Sequence, residues 1–336
     1  MKTYKLEDFN NKDHRDKMIQ AFNKAVVIPT ETVYGLAGRI DNETALRDIY
    51  TIKGRASDNP LILLVSNRKM LKTVIKGEIP PKYQKLIDLF WPGPLSLIFM
   101  ADETLSSTVR GSSLKTVAIR MPENKTLLEL IDVIGVPLAA PSANTSGQPS
   151  PTEVSHAQND LKNKVETYID GGKCSFGLES TVFMGLGDEN VILRPGSITP
   201  EQIEMALGEE VRIKNKADGT VVICPGTKYT HYSPKVDVVL FIGSNWLQNM
   251  IREVNRTDQV VGVMASEDVL DQFDQIKNVK MFNMGSSVKM CASNCFSGFR
   301  KLENEVEIIF VRGFEQKGEG CAIMDRLEKA SSKIVE

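Results

Sequence analysis

The sequence is poor in cysteine and histidine and has no long apolar segment. Five cysteines and three histidines occur among 336 residues. An odd, scattered set of cysteines excludes a disulfide framework, so we expect every thiol to be reduced. The longest apolar runs, such as residues 136–141, are too short to cross a bilayer, and the N-terminal residues lack the apolar core of a signal peptide. We therefore expect a cytoplasmic protein without a membrane segment.

Charge and catalytic motifs narrow the function further. The formal net charge of −2 argues against a dedicated nucleic-acid-binding protein, because affinity for nucleic acid rests largely on basic charge. The sequence contains no G-x-x-x-x-G-K-[ST] phosphate loop, no H-E-x-x-H zinc motif and no G-x-S-x-G nucleophile motif. Cys291 and Cys295 share a helical face but lack further metal ligands nearby, so we expect them to pack in a core.

The hydrophobic pattern of the first 210 residues predicts a mixed α/β domain. Short apolar or β-branched runs bounded by Gly, Pro and polar residues predict strands. The predicted strands are residues 25–29, 61–66, 95–100, 116–121, 136–140, 181–184 and 191–194. Amphipathic segments with start signals predict helices between them. The predicted helices are residues 13–24, 43–52, 81–89, 125–134 and 200–207.

The rest of the chain predicts a linker and a second, smaller domain. Residues 214–234 are polar and rich in turn residues, which is typical of a linker. Strand-like runs at 236–241, 260–265, 279–284 and 307–312 then alternate with helical stretches, the last at 320–332. This alternation predicts a small open parallel sheet. No G-x-G-x-x-G follows its first strand, so a structural or regulatory role is as open as a binding one.

Two polar segments are candidate phosphate sites. Lys53 and Arg55 follow a predicted helix, where an ammonium and a guanidinium group can hold phosphate together. Ser142 and Asn144 lie in a loop of small residues after a predicted strand, where they can coordinate phosphate oxygens or a magnesium-bound water. A solvated surface loop would explain the first segment equally well, and a simple Pro-Gly turn would explain the second.

Two arginines and one turn complete the candidate site. Arg120 and Arg194 each end a predicted strand, so both guanidinium groups can emerge at the mouth of one sheet; each could instead form a salt bridge at the rim. Residues 30–36 take an apolar strand into hydroxyl groups, a carboxylate and an aromatic ring, although a turn packed on the core would give the same pattern.

Taken together, these segments resemble one family. They match, in order, motifs of the YrdC-like domain of threonylcarbamoyl-adenylate synthases, and a later segment matches the linker of the longer members. The matching motifs are Thr30-Glu-Thr-Val-Tyr-Gly-Leu, Lys53-Gly-Arg, Asn59-Pro-Leu, Trp91-Pro-Gly-Pro, Arg120-Met-Pro, Pro141-Ser-Ala-Asn-x-Ser-Gly, Glu179-Ser-Thr-Val, Arg194-Pro-Gly and Pro225-Gly-Thr-Lys-Tyr-Thr-His-Tyr-Ser-Pro. The resemblance covers essentially the whole chain.

The resemblance implies a fold and a domain organisation. It implies an α/β protein with a YrdC-like catalytic domain at residues 1–210, built on a twisted mixed sheet with a concave basic cavity. Residues 211–235 would form a linker and a lid, through Tyr229, His231 and Tyr232. Residues 236–336 would form a Rossmann-like domain.

The resemblance also implies roles for individual residues. The family's catalytic signature falls on Lys53, Arg55, Ser142 and Asn144. ATP-binding residues would be Arg55, Asn59, Thr116, Ser142, Asn144, Ser150, Arg194 and Tyr232. Threonine-binding residues would be Thr32, Arg120, the Ala140 backbone and Ser180. Mg²⁺ would enter on the ATP phosphates, without a dedicated set of protein ligands. Family members carry a histidine where this chain has Leu64, so we expect Leu64 to contribute only packing.

The implied reaction joins L-threonine, bicarbonate or CO2, and ATP into threonylcarbamoyl-adenylate and pyrophosphate. The threonine amine must be neutral to form a carbamate, whose oxygen then attacks the α-phosphorus. The adenylate would pass to the machinery that modifies tRNA, with tRNA itself bound weakly or indirectly. Two alternatives stay open: an RNA-binding module with a concave basic surface, and carbamoyl transfer for hydrogenase maturation, which is found in a much larger, zinc-binding chain.

Overall fold

The computed structural model describes residues 1–111, 114–214 and 232–336, which form two compact units. The first contains Met1–Ser146, Pro151–Ser175 and the described residues from Glu179 to Lys214. The second contains Gly147–Ser150, Phe176–Leu178 and the described residues from Tyr232 onward. None of the helices in these ranges is both long and apolar enough to span a bilayer. The predicted domain bounds stay a prediction, since most of the predicted linker lies outside the described residues.

The first unit is built on a twisted mixed sheet. Its strands are β1 (Lys2–Lys5), β2 (Val26–Ile28), β3 (Gly35–Arg39), β4 (Ile62–Leu64), β5 (Leu95–Met100), β6 (Thr116–Arg120), β7 (Leu138–Ala139), β8 (Thr167–Asp170), β9 (Thr181–Met184), β10 (Val191–Arg194) and β11 (Arg212–Ile213). Within the described residues they pair in the order β1-β8-β2-β3-β7-β4-β6-β5-β9-β10-β11. Neighbouring strands in this order are often distant in sequence, so the sheet gathers residues from distant motifs.

Helices pack against this sheet. They are α1 (Lys12–Ala21), α2 (Glu43–Lys53), α3 (Arg68–Lys72), α4 (Pro81–Phe90), α5 (Ser107–Arg110), α6 (Lys125–Ile134), α7 (Val154–Leu161) and α8 (Pro200–Leu207). α6 shows why they form: Asn124 caps its first turn, Gly135 ends it in the left-handed region, and its apolar positions Leu127, Leu130 and Ile131 are buried.

Most of the predicted elements of this unit are confirmed. Five have the predicted bounds, namely β5, β9, β10, α6 and α8. Strand β3 is a correction, because the sequence predicted no strand at residues 35–39. Its sequence, Gly35-Leu-Ala-Gly-Arg, has two glycines and therefore little strand propensity, but it pairs with β2 and β7 and is buried. β1 and β8 were not predicted either.

The second unit is a parallel sheet with helices. Its strands are β12 (Asp237–Phe241), β13 (Val261–Ala265), β14 (Val279–Asn283), β15 (Ile308–Arg312) and β16 (Lys333–Val335), and its helices are α9 (Trp246–Val254), α10 (Val288–Leu302) and α11 (Glu319–Ala330). The strand order is β14-β13-β15-β12-β16, and every pairing is parallel. The predicted parallel sheet is confirmed. Cys291 and Cys295 are buried in α10, as expected of core residues.

Candidate functional site

Lys53, the last residue of α2, is hydrogen-bonded to the loop that carries Ser142 and Asn144. Gly54 ends this helix in the left-handed region, with φ of 62°, a conformation that favours glycine. Lys53 is only 2% exposed, and its Nζ donates to the carbonyl oxygens of Ser142 and Asn144, each at 2.5 Å. The Ser146 amide in turn donates to the Lys53 carbonyl at 2.9 Å. Three of the four predicted catalytic residues, Lys53, Ser142 and Asn144, are therefore in direct contact.

Arg55 stands two residues further along and holds Asn59. Its Nη2 donates to the Asn59 side-chain oxygen at 2.6 Å and to the Pro60 carbonyl at 2.7 Å, while its Nε donates to the Asn59 carbonyl at 3.1 Å. Tyr50 donates its hydroxyl to the same Asn59 carbonyl at 3.2 Å. Two predicted ATP-binding residues, Arg55 and Asn59, are thus brought together at the end of α2.

The motif at residues 30–36 pairs with the loop that Lys53 holds. The Leu36 amide donates to the Pro141 carbonyl and the Ala143 amide donates to the Tyr34 carbonyl, both at 2.8 Å. Gly35 allows this approach, since a Cβ there would lie 3.3 Å from the Ala140 Cβ. Thr32 and Ala140, two of the predicted threonine-binding residues, therefore lie in segments that are hydrogen-bonded to each other.

A buried ion pair lies beside these segments. Arg120 Nη1 donates to Glu31 Oε1 at 2.5 Å, and the two side chains are 6% and 4% exposed. Burial lowers the pKa of Arg120, and the nearby Arg194 acts in the same direction, whereas Glu31 opposes both. Thr30 and Thr32 flank Glu31 in the sequence, and their hydroxyl groups lie 2.8 Å apart in a hydrogen bond.

Arg194 is anchored on Ser180. Its Nη2 donates to the Ser180 carbonyl at 2.8 Å and to the Ser180 hydroxyl at 3.1 Å, and that hydroxyl lies 2.8 Å from the Ser96 hydroxyl. β6 is antiparallel to β5, β5 is parallel to β9, and β9 is antiparallel to β10. β6 and β10 therefore run in the same direction, which places Arg120 and Arg194 at one edge of the sheet.

The face of β6 that carries Arg120 is apolar at its centre. Residues two apart on a strand share a face, so Thr116, Ala118 and Arg120 of β6 point the same way. Ala118 packs with Ile62, Ile98 and Val182 in a buried cluster. At about 3.3 Å per residue, Thr116 lies about 13 Å along the strand from Arg120. The face thus has a cationic end, an apolar middle and a half-buried hydroxyl at the far end.

Comparisons with known proteins agree across both units. A family model described as "Telomere recombination", which groups Sua5, YciO and YrdC proteins, matches residues 19–196. A second, described as "Threonylcarbamoyl-AMP synthase, C-terminal domain", matches residues 198–332. A threonylcarbamoyl-AMP synthase of Bacillus subtilis is 39% identical over 312 residues, covering 92% of this chain and 90% of its own. The chain belongs to the threonylcarbamoyl-AMP synthase family.

Two further matches come from Pyrococcus abyssi, one by sequence and one by structure. Its threonylcarbamoyl-AMP synthase is 38% identical over 317 residues, covering 92% of this chain and 90% of its own. The crystal structure of P. abyssi Sua5 complexed with L-threonine matches with a TM-score of 0.89 and 34% identity, covering 100% of each chain. The resemblance noted in the sequence is confirmed at the level of family and fold.

Two predicted ATP-binding residues of this synthase belong to the second unit. Ser150 is buried within Gly147–Ser150. Tyr232 is also buried, and its ring stacks on Phe296 with centroids 5.3 Å apart and lies beneath the Arg326 guanidinium group. Tyr229 and His231, the other predicted lid residues, lie outside the described residues, so the lid stays a prediction.

The structure also shows what the sequence reasoning did not single out. Glu31 was part of a recognised motif, but its pairing with Arg120, 89 residues away, depends on the fold. Leu64 is the register partner of Arg120, since β4 and β6 are parallel, and it is buried at 1% exposure. Leu64 therefore lies on the same face as Arg120 and supplies packing there.

Proposed function

We propose that this chain is a threonylcarbamoyl-AMP synthase, which converts L-threonine, bicarbonate or CO2, and ATP into L-threonylcarbamoyladenylate and pyrophosphate. The observation that carries this assignment is the identity of 37–39% with threonylcarbamoyl-AMP synthases over 92–93% of the chain. The product serves the threonylcarbamoyladenosine modification of tRNA. The fold of the threonine-bound P. abyssi protein supports threonine as the substrate.

We propose that threonine lies at the Arg120 end of the site. Arg120 is a planar, permanently charged donor that suits a carboxylate. Thr32, the Ala140 backbone and Ser180 would complete the threonine contacts. Ser180 accepts hydrogen bonds from Arg194, so a predicted threonine-binding residue and a predicted ATP-binding residue are in direct contact.

The nucleotide would be held by Arg55, Asn59, Thr116, Ser142, Asn144, Ser150, Arg194 and Tyr232, with Lys53 fixing the loop between them. The carbamate oxygen and the triphosphate are both anionic, so the site must supply positive charge and hold the reacting atoms in line. Mg²⁺ on the phosphates would neutralise further charge.

The partners follow from the reaction. We propose that the adenylate passes to a tRNA threonylcarbamoyl-transfer machinery, and that tRNA contacts this chain weakly or indirectly. A cytoplasmic location would place the enzyme beside that machinery.

The assignment is tested by pyrophosphate release. The purified chain with ATP, Mg²⁺ and bicarbonate should release pyrophosphate only when threonine is added. Arg55→Ala should lower the rate by about 10²-fold, as expected for loss of one charge-stabilising donor. Arg110→Ala is the matched control, since Arg110 also donates to two backbone carbonyls but is not a predicted site residue. Threonine-independent release, or equal losses in both variants, would contradict the assignment.

A further inference from the structure

One oxygen of Glu31 is buried without a partner. Oε1 accepts from Arg120, while Oε2 has no hydrogen-bond partner among the described residues. The side chain is 4% exposed, so bulk solvent does not reach this oxygen. Leaving a charged acceptor unsatisfied in a protein interior is costly, so a bound donor at this position would be stabilising.

The pair of Arg120 and Glu31 matches the charges of an amino acid. An α-amino acid carries a carboxylate and an ammonium group on one carbon, and Arg120 and Glu31 present the opposite charges side by side. Arg120 is already the proposed anchor for the carboxylate. Glu31 Oε2 is an acceptor only, so the group that satisfies it must be a donor, and an ammonium is the strongest available.

We propose that Glu31 binds the ammonium group of threonine and accepts its proton, which makes it a catalytic residue of this reaction. The inference rests on the proposed function. The proton passes from the ammonium nitrogen to Oε2, leaving a neutral amine and a protonated Glu31. The amine nitrogen then forms a bond to the carbon of bicarbonate, and water leaves. The product is the carbamate, whose oxygen attacks ATP.

The other groups around Glu31 are poor proton acceptors. Burial, and next the Glu31 charge, raise the pKa of the Cys174 thiol, so it stays protonated. The Thr30 and Thr32 hydroxyls bond to each other. The other charged groups here are Arg120, Arg194, which lowers the pKa of Arg120, and Glu153, which raises the pKa of Cys174. Arginine is not a base at neutral pH, and of these two carboxylates Glu31 is the one that contacts Arg120, the proposed anchor of the threonine carboxylate.

The competing explanation is that Glu31 only balances the charge of Arg120. Glu31→Gln separates the two, because the amide oxygen can still accept from Arg120 but the side chain can no longer take a proton. Glu31→Asp is the matched variant, since it keeps the carboxylate on a shorter stem. Melting temperatures establish that both variants fold.

The experiment measures threonine-dependent pyrophosphate release across pH. Loss of a general base lowers rates by about 10²–10⁴-fold, so Glu31→Gln should lose at least about 10²-fold in kcat at pH 7. Its rate should recover as pH rises and threonine amine becomes neutral in solution. Glu31→Asp should be less impaired and keep the wild-type pH profile. An active wild type with a Glu31→Gln variant that changes only KM, at every pH, overturns the proposal.

Ligand binding gives a readout that does not need turnover. Threonine should bind wild type more tightly than 3-hydroxybutyrate, which lacks the amine. Glu31→Gln should reduce that preference by about 10-fold or more, the size expected for a hydrogen bond to a charged group. If Glu31→Gln leaves the preference for threonine over 3-hydroxybutyrate unchanged, the proposed role of Glu31 is overturned but the proposed function is not. Wild type that binds threonine but releases no threonine-dependent pyrophosphate instead overturns the proposed function.

Discussion

Individual cationic side chains at this site combine a structural role with a predicted phosphate-binding role. Lys53 was singled out as a phosphate ligand, yet its ammonium donates to the Ser142 and Asn144 carbonyls. Arg55 likewise donates to Asn59 and Pro60. A cation held in this way is preorganised, because its position is fixed before any phosphate arrives. The same groups that shape the loop can thus supply its positive charge.

Tyr50 offers a test of this local network. Its hydroxyl donates to the Thr108 carbonyl at 2.7 Å as well as to Asn59. Tyr50→Phe leaves the Thr108 carbonyl without this donor, whereas the Asn59 carbonyl keeps its hydrogen bond from Arg55 Nε. We therefore expect a loss of about 1–3 kcal/mol in the free energy of unfolding at pH 7. Denaturant unfolding measures it. Tyr168→Phe is the matched control, since the buried Tyr168 hydroxyl has no partner among the described residues, and its removal should not destabilise the chain.

The contribution of Tyr50 should also depend on pH. Burial raises its pKa to about 12, from 10.0. The unfolded chain therefore gives up this proton at lower pH than the folded chain does. The advantage of wild type over Tyr50→Phe should be full below pH 10 and should shrink as pH rises towards 12. An advantage that grows over this range would contradict the assignment of these hydrogen bonds.

Elements were predictable where their local signals were strong. α8 combines Pro200 in its first turn with a capping box between Thr199 and Gln202, and its bounds were predicted correctly. β3 was missed because its two glycines give no strand signal and its stability comes from pairing on both sides. The site residues came from motifs, but the contacts between them, such as Glu31 with Arg120, depend on strand pairing that no local pattern encodes.

The Arg194-Pro-Gly motif has a steric reason that can be tested. A Cβ at Gly196 would lie 2.2 Å from the Thr181 amide nitrogen and 2.5 Å from the Ser180 carbonyl carbon. Gly196→Ala must push the start of β9 away and disturb the Ser180 contacts of Arg194. We expect weaker threonine binding, by about 10-fold, and a loss of about 1–3 kcal/mol in stability from overpacking.

Gly187→Ala is the matched control for this variant. Gly187 lies in the segment between β9 and β10, and a Cβ there would meet nothing within 4 Å. Calorimetric binding of threonine and thermal unfolding should match wild type. If both alanine variants bind threonine equally well, the close approach at Gly196 does not position Ser180.

On the scale of the whole chain, composition and periodicity predicted two α/β units with a parallel sheet in the second. They could not predict the order of the strands. β8, for example, pairs with both β1 and β2, although the paired residues are about 165 and 141 positions apart in the sequence. Such pairings depend on burial of the whole sheet, which is a property of the folded chain and not of any segment.

The two tryptophans allow each unit to be followed separately. Trp91 belongs to the first unit and donates to the Leu95 carbonyl, and Trp246 belongs to the second, where the Arg312 guanidinium lies 4.7 Å from its ring centroid. Trp246→Phe keeps an aromatic face beneath Arg312 and leaves Trp91 as the only tryptophan. The predicted threonine contacts, Thr32, Arg120, Ala140 and Ser180, all lie in the first unit.

Threonine should therefore stabilise the unit that Trp91 reports. At a threonine concentration of 100 times Kd, binding adds about 2.7 kcal/mol to the free energy of unfolding. Denaturant unfolding of Trp246→Phe, followed by tryptophan fluorescence, should show this increase, and 3-hydroxybutyrate at the same concentration should give less. In Trp91→Phe the remaining Trp246 follows the second unit. A shift that appears only there would place threonine outside the Arg120 site.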